Sequence, residues 1–173
     1  MCTRVGASDD LTLGQSTFMV EMIETSFILN TATDRSFILL DEIGRGTSTY
    51  DGVAIAWSVA EYIATKVGAR CIFATHYHEL NVMTKTYPQI KNYRITITEN
   101  NGEIEFLRKI VQGGASKSYG IQVAKMAGLP SSVVKRSEEL MRKIQKDFSN
   151  NLATRQKMVN NEDEVPQLSL FGM

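Results

Sequence analysis

The chain has 173 residues, of which 43% are hydrophobic, with 19 Lys+Arg against 19 Asp+Glu. That length suits about one domain and buries about two-thirds of the unfolded surface, so neither a disulfide nor a structural metal is needed to hold it. A formal net charge of +0 argues against a free-standing nucleic-acid binder, and the ample aliphatic content argues against disorder along the whole chain. Cys2 and Cys71 form no ligand-spaced cluster and read as reduced thiols, Cys71 in a buried apolar run. No apolar run reaches the roughly 18 residues of a membrane span, and the first residues lack a signal peptide's apolar stretch, so a cytoplasmic protein is expected.

In chain order, the first dozen residues read as polar loop. Ser16 or Thr17 then caps a helix whose apolar positions at 18, 22, 23, 27, 28 and 29 fit a helical period. Ser36 to Glu42 is too short for a lone helix and reads as a buried parallel strand ending in Asp41 and Glu42. Gly44, Gly46 and Gly52 loosen the following loop, and Asp51 caps a helix predicted from Gly52 to Lys66. Cys71 to Thr75 is a second buried strand, so strand, helix and strand make one βαβ unit and a parallel sheet.

Past Pro88 the period becomes two, at Tyr93, Ile95 and Ile97. Asn100-Asn101-Gly102 is a turn signal before Ile104 and Phe106, which predicts an antiparallel hairpin. Two helices follow, Tyr119 to Ala127 and Ser131 to Phe148, joined by Gly128-Leu129-Pro130. On the second, Val133, Ser137, Leu140, Met141, Ile144 and Phe148 fall near one face. The segment from Ser149 to Pro166 is polar and expected to be disordered, and it leads into an apolar cluster. The fold class is therefore α/β, with 1–112 as a core, 113–148 as a helical element and 149–173 as a flexible tail.

The residues that carry chemistry cluster at predicted strand ends. Four apolar residues ending in Asp41-Glu42 have the shape of a Walker B strand: the Asp holds Mg²⁺, usually through water, and the next acid orients or activates the attacking water. A strand ending in two solvated acids is the plain alternative. His76 ends the adjacent strand, where it reaches a terminal phosphate or is satisfied by a loop carbonyl. His76 and His78 form an H-x-H pair with no third metal ligand nearby. Gly14-Gln15-Ser16-Thr17 at a helix start is an anion site or an ordinary N-cap. Val111 to Ser118 keeps Lys117-Ser118, but Val111 and Ser116 stand where a phosphate loop needs glycine, so it is rejected as one. The helix pair 119–148 invites a DNA-binding helix-turn-helix reading. Its mixed charge and apolar stripe suit a partner surface better.

Thr3 to Leu11, Gly14 to Met22, Leu40 to Gly52, Phe73 to Leu80 and Ala115 to Gly120 together resemble the C-terminal ATPase domain of the MutS family of DNA mismatch-repair proteins, over about residues 3 to 147. The resemblance implies a partial P-loop, ABC-type ATPase core that uses ATP and Mg²⁺, with a C-terminal helix-turn-helix dimerisation element. Asp41 would assist Mg²⁺, Glu42 would be the catalytic base and His76 the switch histidine. Ser16 and Thr17 would belong to the signature helix that touches the partner's γ-phosphate. Gly44, Arg45, Gly46, Thr47, Ser48, Thr49 and Asp51 would face the opposite subunit of a homodimer. The family's phosphate loop and its mismatch-binding regions have no counterpart in these residues, so little ATPase activity is expected of the chain alone, and mismatched DNA would be met only through those regions. A MutL-type repair protein is a further implied partner. Gln167, Leu168, Ser169, Leu170 and Phe171 resemble the peptide by which bacterial replication proteins dock on the sliding clamp. Two competing readings are a non-enzymatic module that dimerises and binds the clamp, and a stand-alone DNA-binding protein, which zero net charge disfavours.

Overall fold

The computed structural model describes residues 1–6, 16–100, 103–115 and 117–162. Three short strands, β1 (Cys2–Arg4), β2 (Phe37–Asp41) and β3 (Arg70–Ala74), form a parallel sheet in that order. The register sets Arg4 beside Leu40, and Leu40 beside Phe73. β1 corrects the sequence reading, which took these residues as loop. Three residues are too few to show a period, and pairing with Ile38–Leu40 makes them a strand.

Between β1 and β2 runs α1 (Thr17–Thr31), capped by Ser16, whose hydroxyl oxygen accepts from the Met19 N–H at 3.2 Å. Its inward face follows the expected one only in part: Ile28 is buried and Met22 and Leu29 pack against the core, but Glu21 and Thr25 are buried too, whereas Ile23 is 50% and Phe27 66% exposed. Apolar residues occur all round this helix, so periodicity does not choose a face. The choice follows Glu21, which sits against Arg4 of β1.

Between β2 and β3 runs α2 (Thr49–Tyr62). Its cap is Ser48, not Asp51. Ser48 keeps extended backbone, and its hydroxyl oxygen accepts from the Asp51 N–H while donating to Asp51 Oδ2 at 2.8 Å. After Tyr62 the helix widens into a π turn, Ile63–Val67, ended by left-handed Gly68. The core gathers on β2, where Ile38 is 0% and Leu40 2% exposed, with Ile28, Ile43, Val59 and Ile63 around them. A second cluster joins Ala56, Tyr77, Leu80 and Met83. β3 is less buried than expected. It is an edge strand, so Cys71 and Phe73 pack on the core while Ile72 is 60% exposed. Burial pushes the Cys71 thiol up to about 11.

Past β3 come a 3-10 turn (His78–Val82) and α3 (Met83–Thr86). β4 (Tyr93–Asn100) and β5 (Glu103–Gln112) form the expected antiparallel hairpin, whose turn positions 101 and 102 lie outside the described residues. α4 (Gly120–Met126) and α5 (Ser131–Glu162) follow, with left-handed Gly128 between them. α5 does not stop at 148, because residues 149–162 contain neither Gly nor Pro to break it. On α5, Val134 is buried while Val133, Met141 and Ile144 are exposed. Positions 7–15 and 163–173, with the proposed clamp peptide Gln167 to Phe171, lie outside the described residues.

The chain divides into two compact units. One is Met1–Thr98 with Phe106–Lys117, and the other is Glu99–Glu105 with the residues from Ser118 onward. Among the described residues no helix is long and apolar enough to cross a membrane.

Candidate functional site

β2 carries Asp41 and Glu42 to the carboxyl end of the sheet, the end where loops of parallel α/β sheets open onto ligands. The Glu42 N–H donates to the Ala74 carbonyl at 3.0 Å, so the β2–β3 ladder continues one bond past the end of β2. There the backbone turns left-handed, with φ +57° at Glu42. A residue with a Cβ adopts that conformation rarely, at a cost of about 1–3 kcal/mol. The Arg45 N–H closes the turn on the Glu42 carbonyl at 3.2 Å.

The turn aims the Glu42 side chain at His76, just past β3. Glu42 Oε2 lies 2.5 Å from His76 Nδ1, with the two side chains 31% and 51% exposed. An ionised carboxylate only accepts, so the imidazole is the donor. The His76 ring also lies 4.2 Å, centroid to centroid, from the Tyr77 ring.

Behind this pair the backbone of Gly44 is held on both sides, through its N–H and through its carbonyl. Its N–H donates to Glu21 Oε1 at 2.6 Å, and its carbonyl accepts from the Tyr77 hydroxyl at 2.8 Å. Gly44 has φ +89°, and a Cβ there would sit 2.5 Å from the Gly52 carbonyl oxygen. A Cβ on Gly52 would in turn strike the Tyr77 hydroxyl. Both glycines are therefore required by close backbone approach. The Tyr77 hydroxyl titrates above its ordinary range, first because it is buried, then because Glu42, Glu21 and Glu79 surround it with negative charge. Glu21 lies 3.9 Å from the Arg4 guanidinium, which also reaches Glu24 at 2.9 Å.

A cavity of about 330 Å³ opens beside these groups, lined by Arg4, Gly6, Thr17, Phe18, Glu21, Asp41, Glu42, Arg45 and Gly46. A larger one, about 680 Å³, runs beside β3 and touches none of the strand-end acids. The smaller is the one with chemistry. Thr17 faces it, while Ser16 is spent on the α1 cap.

Of the loop residues singled out from the sequence, Gly44 is buried, Thr47 is half-buried, and Arg45, Gly46, Ser48, Thr49 and Asp51 are exposed. His78 is turned away from the pair, with its Nδ1 2.9 Å from the Ala115 carbonyl oxygen. Among the described residues no three His, Cys, Asp or Glu side chains form a metal cluster.

Arg4, Glu21 and Tyr77 escaped the sequence reading. The available signal was an acid on a helix rich in apolar residues, and a tyrosine directly after His76.

The sequence model of the family described as MutS domain V matches residues 1–145. The relatives named DNA mismatch repair protein MutS include one from Myxococcus xanthus, 54% identical over 177 residues that cover 99% of this chain and 20% of that protein. One from Fusobacterium nucleatum is 51% identical over 98% of this chain and 18% of that protein. One from Thermodesulfovibrio yellowstonii is 60% identical over 83% of this chain and 17% of that protein. The chain thus spans about a fifth of the length of the curated relatives it matches. With that match covering both the strand-end acids and His76, the chain belongs to the MutS domain V family.

Proposed function

We propose that these residues are the carboxyl part of an ABC-type ATPase domain in a mismatch-repair protein. One observation carries the reading: the left-handed turn at Glu42 directs its carboxylate to His76 beside a cavity that Asp41 also lines. A solvated pair of acids needs no such turn.

In this reading Glu42 accepts a proton from water as the water oxygen bonds to the γ-phosphorus. The bond from that phosphorus to the bridging oxygen then breaks, releasing ADP and phosphate. His76 holds the Glu42 carboxylate in place through Nδ1–H, and its Nε2 donates to the terminal phosphate only when both ring nitrogens carry protons. What supports Mg²⁺ is the chemistry of Asp41: it lines the cavity, and among the described residues nothing pairs with its carboxylate. Mg²⁺ keeps most of its water and takes one or two carboxylates plus phosphate oxygens, so a lone Asp suits it. The ion would neutralise charge building on the phosphates. Thr17 and the exposed loop from Arg45 to Asp51 are the surface for the opposite subunit of a homodimer, and α4 with α5 is the dimer contact.

The sequence contains no Gly-x-x-x-x-Gly-Lys-Ser/Thr run, so these residues do not themselves supply a phosphate loop. The outer edge of β3, unpaired among the described residues, suits one more strand. Mg²⁺-dependent ATP hydrolysis by these residues together with a phosphate-loop segment tests the reading. Glu42→Gln should cut turnover about 100-fold or more while nucleotide still binds. Turnover insensitive to Glu42→Gln would sink it. Docking of Gln167 to Phe171 on a sliding clamp is a separate proposal, to be checked by loss of clamp binding in Leu170→Ala/Phe171→Ala.

A further inference from the structure

We infer that Glu21 is a positioning residue for the Glu42 carboxylate, acting through the Gly44 peptide. The inference rests on the ATPase reading only for what Glu42 does.

Glu21 is an acid at 6% exposure. A buried carboxylate loses its hydration and must be compensated, and an apolar side chain of similar size would pack there at less cost. Its compensation is specific. Oε1 accepts from the Gly44 N–H at 2.6 Å, and Oε2 lies 3.9 Å from Arg4 of β1. Gly44 is two residues past Glu42, inside the turn whose left-handed φ sets the direction of that side chain. The carbonyl of the next peptide, that of Gly44, is taken by the Tyr77 hydroxyl, next in chain to His76.

One carboxylate therefore joins the helix α1, the strand β1 and the turn bearing Glu42. Gly46 adds a steric tie, since a Cβ there would lie 3.0 Å from the Phe18 Cβ of α1. Without Glu21 the Gly44 N–H is buried and unpaired, and the peptide is free to rotate toward another acceptor. Rotation there relaxes Glu42 toward ordinary backbone and swings its carboxylate off His76. Glu21 lines the same cavity but spends its oxygens on the Gly44 N–H and Arg4 and bonds neither Glu42 nor His76, so its effect should fall on turnover more than on nucleotide affinity.

The test uses Glu21→Ala, Glu21→Gln and Glu42→Gln in these residues together with a phosphate-loop segment. ATP turnover, nucleotide affinity and hydrogen exchange at the Gly44 amide are measured together. Glu21→Ala should lower kcat about tenfold or more and leave nucleotide Kd within about threefold. Its Gly44 amide should exchange at least about tenfold faster. Glu21→Gln keeps an oxygen for the Gly44 N–H and should recover part of both losses. Turnover that falls with Glu42→Gln but not with Glu21→Ala overturns the positioning role and leaves the ATPase reading standing. Turnover indifferent to Glu42→Gln overturns the ATPase reading, and unchanged Gly44 exchange in Glu21→Ala overturns the peptide clamp by itself. A Glu21→Ala loss that falls equally on nucleotide affinity and melting temperature, unrelieved in Glu21→Gln, overturns the inference in favour of a purely structural ion pair.

Discussion

At Gly44 the residue and the backbone demand each other. The left-handed φ and the Gly52 carbonyl leave no room for a methyl group. Gly44→Ala should lower stability by about 3 kcal/mol, read by urea unfolding, with the Glu42 turn the first segment to lose amide protection. Tyr77→Phe removes a buried hydroxyl donor and should cost about 1–2 kcal/mol near neutral pH. It also changes the alkaline limb. Tyr77 has its folded-state value raised above 10.0, so the fold holds the protonated form. The stability that follows is whole below pH 10.0 and is lost as pH climbs through the raised value. The phenylalanine variant should lack that share of the alkaline decline, and equal decline in both proteins would exclude Tyr77 as its source.

At the scale of elements, the α1 cap and the end of β2 were legible because their signals are local. Four apolar residues before Asp41-Glu42 read as a strand, and the structure begins it at Phe37 and ends it at Asp41. The hairpin followed from the change of period at Tyr93. α2 was legible as a helix but not its start: Ser48 and Asp51 are both good caps, and three residues of spacing lets each bond the other. Ser48→Ala should cost about 1 kcal/mol, measured by thermal unfolding, whereas Asp51→Ala should leave the α2 cap in place and cost less. The face of α1 was legible at Met22, Ile28 and Leu29 but not at Ile23 and Phe27, since no pattern of apolar residues reveals that an acid will turn inward to meet Arg4. α5 outran its expected end because polar composition alone does not stop a helix that lacks Gly and Pro.

For the molecule as a whole, the three-stranded sheet is narrow and, among the described residues, the outer edge of β3 is unpaired. Ile72 on β3 is 60% exposed, and the groove of about 680 Å³ beside that strand is lined by Ile63, Phe73, Leu80 and Met83 among others. Unpaired strand edges next to apolar surface template association. The isolated chain should therefore self-associate as concentration rises, seen by sedimentation, and Ile72→Lys should weaken that association. Association unchanged in Ile72→Lys would move the sticky surface elsewhere, with the exposed α5 positions Val133 and Ile144 next in line.

The sequence by itself determined the alternation of strands and helices, the parallel connection, the hairpin, and which acids and histidine stand at strand ends. Those features depend on neighbours a few residues apart. Only the tertiary structure decided that Cys2–Arg4 is a strand, that Glu21 turns inward, that Glu42 turns left-handed, and that its carboxylate meets His76. Each of these pairs groups far apart in the chain, and a buried charge or a strained turn is tolerated only where the rest of the fold brings its partner within bonding distance.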